Sequence, residues 1–171
     1  MFRDYFIEAL DEFRLDNVQY LEFRGLLPEV YDLNGQIYDK TTVMKIYRDA
    51  FMQYKKDHTD FSGGKLIYSS IRFGPPSNIL VDVKFALMLK SQFPDYVAGY
   101  DLVGQEDPGE PLLYYLDPLL YPQQQNPPVN LPFFFHAGET DWEIYWWILL
   151  LGVQQRVQIV QQWFPRVLLT Y

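Results

Sequence analysis

The sequence predicts an α/β fold with parallel strands, either closed into a barrel or laid out as a sheet covered on both faces. Three observations predict it. Helical and extended segments alternate along the chain, the extended segments are apolar on both sides apart from Glu22, Arg24, Lys65 and Asp101, and the polar residues gather where the strands end. Strands separated by helices of this length pair in parallel through crossover connections. No glycine-rich phosphate loop opens a helix, which weakens the nucleotide-binding version of a doubly wound sheet.

The first helix is predicted from Phe2, Phe6, Ala9, Leu10 and Phe13, spaced at three and four residues and opposed by Asp4, Glu8, Asp11 and Glu12. Asp16 and Asn17 close it. Val18 to Arg24 alternates as a strand, and Gly25 to Gly35, with Pro28 and Asn34, is a loop. A second helix is capped by Thr41 or Thr42 and runs to Lys56, with Val43, Ile46, Tyr47, Ala50, Phe51 and Tyr54 inward. Lys65 to Ile71 is the second strand, and Pro76 leads a third helix that stops near Pro94. Tyr96 to Val103 is the third strand. Leu112 to Leu120 fits neither period cleanly, and a Pro/Gln/Asn-rich loop from Pro118 to Pro132 precedes a fourth strand, Phe133 to Ala137.

The 171 residues are enough for one domain with a real core. The formal net charge of −8, with basic residues scattered, argues against a nucleic-acid partner. With no cysteine, disulfides, thiol nucleophiles and thiolate zinc sites are excluded. Zinc remains open to imidazole and carboxylate, and the two histidines are His58 and His136. The first residues lack the pattern of a signal peptide, and the longest apolar run, Ile144 to Val153, is about half of what spans a bilayer, so a soluble chain with no transmembrane span is expected.

In a barrel, chemistry sits at the carboxyl ends of the strands. Arg24, Ser69 to Arg72, Asp101 to Asp107 and His136 to Trp142 all fall there. His136-Ala137-Gly138-Glu139 follows three phenylalanines, and Gly138 lets the backbone turn so that the imidazole and the carboxylate can converge. A His-bound zinc brings the pKa of its water to about 7, and a nearby unligated Glu can shuttle a proton. Taken alone, the four residues fit equally well a histidine at a strand end beside a solvated glutamate. Glu22 and Arg24, two apart on one strand face, are expected to form a structural ion pair. Glu106 and Asp107 are expected to be solvated beside a turn at Pro108-Gly109, and His58 to be a solvated residue at a helix end.

The string FFFHAGETDW, Phe133 to Trp142, resembles the fifth-strand motif of the adenosine deaminase family. Its Thr140-Asp141-Trp142 extension resembles the secreted adenosine deaminase-related growth factors, the type 2 members. FRDYF and NVQYLEFRGLLPEVYDLNG resemble the second-strand region of that family, GGKLIYSSIR the third strand and VAGYDLVGQED the fourth, so the resemblance runs almost unbroken from residue 2 to 142. It implies an incomplete (β/α)8 TIM-type barrel, about strands 2 to 5, over residues 1–142, followed by a divergent hydrophobic and Gln-rich tail over 143–171. It also implies His136 as a zinc ligand, Glu139 as the catalytic proton donor to the purine, and Gly104 and Trp142 as substrate-binding residues. The reaction implied is hydrolysis of adenosine or 2′-deoxyadenosine to the inosine and ammonia.

The His-x-His pair of the family's first strand, the later catalytic His and the Asp-Asp pair have no counterpart here, and Ile71 stands where many relatives carry a His. One zinc ligand of four is matched, so the chain alone is expected to be inactive, and a truncated binding protein is the alternative. Family members are extracellular and often homodimeric. Four strands of an eight-stranded barrel leave two open edges and an uncovered interior. Expressed alone, the chain should self-associate and melt without a reversible cooperative transition; a clean two-state melt of a monomer would contradict this.

Overall fold

The computed structural model describes residues 2–136. The chain order is α1 (Phe2–Leu15), β1 (Tyr20–Gly25), β2 (Val30–Tyr31), β3 (Ile37–Tyr38), α2 (Lys40–Asp57), β4 (Gly63–Ile71), α3 (Pro76–Gln92), β5 (Val97–Val103), a 3-10 turn (Leu112–Tyr115) and a short α4 (Leu116–Leu120). The main sheet has the order β1-β4-β5, parallel throughout. Phe133 extends it in parallel beside Tyr100. The amide of Tyr100 donates to the Pro132 carbonyl and that of Phe134 to the Tyr100 carbonyl, both at 2.9 Å.

The expected fourth strand is therefore in place beside β5, but within the described residues it pairs through a single bridge, and Ala137 lies outside them. A short antiparallel hairpin, β2 with β3, starts inside the expected loop after β1 and ends beyond it. Oδ1 of Asp32 accepts the amides of Asn34 and Gln36 at 2.9 Å each, and Gly35 supplies the left-handed turn residue. A two-residue ladder is too short for alternation to reveal it.

Helix termini follow side-chain chemistry. Asn17 takes a left-handed conformation, with its amide bonded to the Arg14 carbonyl and that of Val18 to the Phe13 carbonyl, the bonding pattern that satisfies a helix's last carbonyls. The cap of α2 is Asp39, whose Oδ1 accepts the Thr42 amide at 2.8 Å, and not Thr41 or Thr42. That bonding to Thr42 holds the Asp39 carboxyl below the usual carboxylate range.

All three long helices pack on one face of the sheet. Phe23 of β1 meets Phe6 of α1 at 5.2 Å and Phe51 of α2 at 5.9 Å between ring centroids. Tyr68 of β4 meets Phe85 of α3 at 5.3 Å and donates its hydroxyl to Asp82 at 2.8 Å. The Tyr68 phenol is raised well above its ordinary range, chiefly by burial. This one-sided arrangement is not that of a doubly wound sheet, which carries helices on both faces. The opposite face carries Tyr20, Glu22, Arg24, Lys65, Ser69 and Asp101.

One irregularity sets which residues look which way. Leu66 faces Val97 while Ile67 faces Gly99, so β5 holds one more residue than β4 across that step. Beyond it, Tyr100 pairs with Tyr68 toward the helices and Asp101 pairs with Ser69 on the other face. Gly99 admits the fourth strand: a Cβ there would lie 2.1 Å from the Pro132 carbonyl oxygen and 2.7 Å from the Phe134 ring. Gly99→Ala should expose the Phe133–Phe135 segment to faster chymotrypsin cleavage, because the obstruction is backbone that cannot turn aside; an unchanged digestion rate would show that Phe133 is not docked on β5.

Candidate active site at the strand ends

β1, β4, β5 and the Phe133 segment run in the same direction, so their carboxyl ends lie at one edge. Asp101 on β5 has no exposed side-chain surface. A carboxylate withdrawn from water must be paired or hydrogen-bonded. Arg24 meets this need from two strands away: its Nε donates to Oδ2 of Asp101 at 2.5 Å, and its Nη2 donates to the Phe134 carbonyl at 3.2 Å. Arg24 thus joins β1 to β5 and to the strand that carries His136.

The same Oδ2 lies 2.8 Å from Nδ1 of His136, whose side chain is 23% exposed. The contact has ion-pair distance, but it is off the line of a ring N–H bond. Nδ1 and the second oxygen of Asp101, Oδ1, are therefore left buried without an aligned hydrogen-bond partner. With Nδ1 turned to the carboxylate, Nε2 is the ring nitrogen left for a ligand. Carboxylate behind imidazole is the arrangement that orients a metal-binding histidine, and imidazole with carboxylate is donor chemistry that suits zinc. Among the described residues, no group of three or more His, Cys, Asp or Glu side chains is placed to hold a metal ion.

A second ion pair closes the edge. Arg72, directly after β4, and Glu106, in the loop after β5, meet at 3.0 Å between Nη1 and Oε1, each side chain only 1% exposed. Arg72 also donates from Nη2 to the His136 carbonyl at 3.4 Å. The loop wraps the arginine stem at its glycines: a Cβ on Gly109 would lie 3.2 Å from the Arg72 Cδ and 2.8 Å from the Gln105 carbonyl oxygen.

Of the residues singled out by sequence, the structure brings His136 to the strand ends beside Asp101 and leaves Gly104 exposed just beyond β5 with φ of 114°, in the left-handed region. Glu139 and Trp142 lie outside the described residues, as does the whole of the tail from 143 to 171. The expected Glu22–Arg24 pair is not formed. Glu22 is exposed and accepts the Tyr20 hydroxyl at 2.9 Å, while Arg24 turns to the buried Asp101, whose need for a cation is far greater than that of a solvated glutamate. The expected solvation of Glu106 is also corrected, because the loop folds back over Arg72 and buries it. His58 does sit at a helix end, as the C-cap of α2, half-buried against the Tyr54 ring at 4.3 Å. What sequence reading missed was the pairing, not the residues: Arg24, Arg72, Asp101 and Glu106 all stood at strand ends. Four charges at the ends of apolar strands were the available signal.

The chain matches no family model. It is 43% identical over 141 residues to adenosine deaminase 2-A of Danio rerio, an alignment covering 82% of this chain and 28% of the relative. To adenosine deaminase 2 of Homo sapiens it is 41% identical over 143 residues, 84% of this chain and 28% of the relative. The chain thus spans little more than a quarter of the length of these curated relatives. Among solved structures, the ADAL–IMP complex superposes with a TM-score of 0.64 at 22% identity, covering 86% of this chain and 42% of that one. An amidohydrolase from Burkholderia ambifaria with bound zinc superposes at 0.51 and 21% identity, covering 80% and 34%. At these identities the likeness is one of fold.

Removing one partner of the buried Arg72–Glu106 pair leaves the other charge uncompensated. Glu106→Gln should cost the fold about 3–5 kcal/mol, read as faster limited proteolysis and a smaller soluble fraction than the unaltered chain; an unchanged digestion rate would mean that Glu106 is solvated after all. Over the four fifths of its length that align, the chain belongs to the adenosine deaminase 2 family.

Proposed function

We propose that this chain contributes the fifth-strand corner of a zinc-dependent deaminase site that converts adenosine or 2′-deoxyadenosine and water to the inosine and ammonia. The observation that carries the reading is the imidazole of His136 at the strand ends, backed by the buried carboxylate of Asp101. The division that goes with it is a partial barrel over residues 1–142, about strands 2 to 5 of eight, followed by a separate tail over 143–171. Parallel strands with helices on a single face support the barrel, since that is how a barrel wall is built.

In this reading His136 holds the metal through Nε2. Zinc, when bound, supplies a Lewis acid that makes water nucleophilic near neutral pH. Asp101, fixed by Arg24, stands 2.8 Å from Nδ1 and favours the ring orientation that leaves Nε2 for the metal, and the hydrogen bonds of Arg24 and Arg72 to the carbonyls of Phe134 and His136 hold the strand end in place. Glu139 moves the proton to the purine ring, Gly104 lets the base approach the backbone where a side chain would intrude, and Trp142 lines the pocket. An extracellular setting and a homodimer accompany the reading through the relatives. Among the described residues no helix is long and apolar enough to cross a membrane.

A chain that binds the nucleoside without turning it over is the second reading. It is favoured by the placement of the only other histidine, His58, at the far end of α2 against Tyr54. Metal analysis combined with ammonia release from adenosine separates the two. In a full-length adenosine deaminase 2 whose matching segment is replaced by residues 1–142 of this chain, the deaminase reading expects stoichiometric zinc and turnover, loss of zinc in His136→Ala, and a fall of about 10²–10⁴-fold in rate with zinc retained in Glu139→Gln. Zinc without turnover in that chimaera favours binding alone, and a folded chimaera that takes up no zinc overturns the deaminase reading.

A further inference from the structure

We propose that Arg72 is a positioning residue for His136: clamped by Glu106, its guanidinium holds the main chain of His136 and so fixes where the imidazole stands. The inference rests on the reading of His136 as a metal ligand, but it concerns a contact that needs no metal to exist.

Arg72 joins three strand ends. Its own amide donates to the Val103 carbonyl at 2.9 Å, tying β4 to β5 where both end. Its Nη1 meets Glu106 at 3.0 Å and its Nη2 reaches the His136 carbonyl at 3.4 Å. The stem is enclosed by the turn in which the Gly109 amide donates to the Glu106 carbonyl at 3.1 Å, and Gly109 faces the arginine where any side chain would collide. A planar guanidinium with donors in a fixed fork can hold a carboxylate and a carbonyl at once, which a lysine ammonium on a flexible stem does not reproduce.

Burial this complete is costly for a residue that serves stability alone, because apolar side chains of similar volume often replace such a pair without loss. One donor points instead at the backbone of the residue whose ring faces Asp101. The ring is therefore gripped on one side through Asp101 and Arg24, and its backbone on the other through Arg72 and Glu106. The first contact is close but unaligned with a ring N–H, so the second, on the backbone, restricts displacement of the Cα and with it the place of the ring.

The test uses the full chain, in which only His58 and His136 contribute imidazole signals. Ring nitrogen shifts of both are recorded without metal, and zinc alone is then titrated in. The key variant is the charge-free pair Arg72→Met with Glu106→Leu, which leaves no unpaired buried charge and whose circular dichroism reports folding; Arg72→Lys is made beside it. In the double variant we expect the His136 pattern to move toward that of a solvent-averaged imidazole while that of His58 stays put, with zinc affinity reduced about 10–100-fold. Arg72→Lys should restore stability without restoring the His136 pattern. A folded double variant that keeps the wild-type His136 pattern would overturn the proposal. Should the unaltered chain take up no zinc, having one matched ligand of four, the metal-free His136 pattern still decides the role of Arg72.

Discussion

A carboxylate sealed from solvent is the constraint around which the strand ends are arranged. Asp101 has no surface of its own, so something cationic or protonated must come to it, and what comes is drawn from different strands: Arg24 from β1 and His136 from the segment beside β5. Because each of these contacts spans the sheet, the carboxylate organises a register as well as a charge. Moving any one of the three strands by a residue would leave a buried ion without a partner, a larger penalty than most packing defects.

The helix-covered face supplies the rigidity that this arrangement needs. Phe6 meets Tyr47 and Phe51 nearly edge-on at 4.7 and 5.1 Å, and Phe133 and Phe135 stack at 5.0 Å behind the strand that ends at His136. Aromatic packing of this kind adds directional preference to apolar burial. The three phenylalanines before His136 split between the two faces. Phe133 and Phe135 are buried in the core that β4, β5 and α3 share, while the carbonyl of Phe134 receives Arg24. Core and site thus hold the same short stretch of backbone from opposite sides.

The α/β class and nearly every long element were legible because period and punctuation agree: α1, α2, α3 and the three main strands lie within a few residues of where apolar spacing and capping place them. His136 was legible as a candidate from its place at the end of an apolar strand. The partners of Arg24 and the burial of Glu106 were not. Pairing in a parallel sheet links residues dozens of positions apart, and nothing local in Tyr20 to Arg24 announces that the arginine will ignore Glu22 for Asp101. Glu106 sits among Gly104, Asp107, Pro108 and Gly109, a composition typical of solvated turns, and only the path of the loop across Arg72 takes it inside. The Asp39 cap was missed for a smaller reason: three residues within four positions, Asp39, Thr41 and Thr42, can each serve as a helix cap, and the carboxylate won.

The additional residue in β5 has an evolutionary implication. Side chains alternate along a strand, so the sidedness of everything after Ala98 depends on counting. Deleting the extra residue would restore plain alternation and leave Tyr100 opposite Tyr68 and Asp101 opposite Ser69, whereas one residue more would turn the Asp101 carboxylate among the helices or demand a second bulge. Point substitution can tune this segment gradually and the bulge can absorb the loss of one residue, so divergent descendants of the chain should shorten β5 between Val97 and Gly99 more readily than they lengthen it.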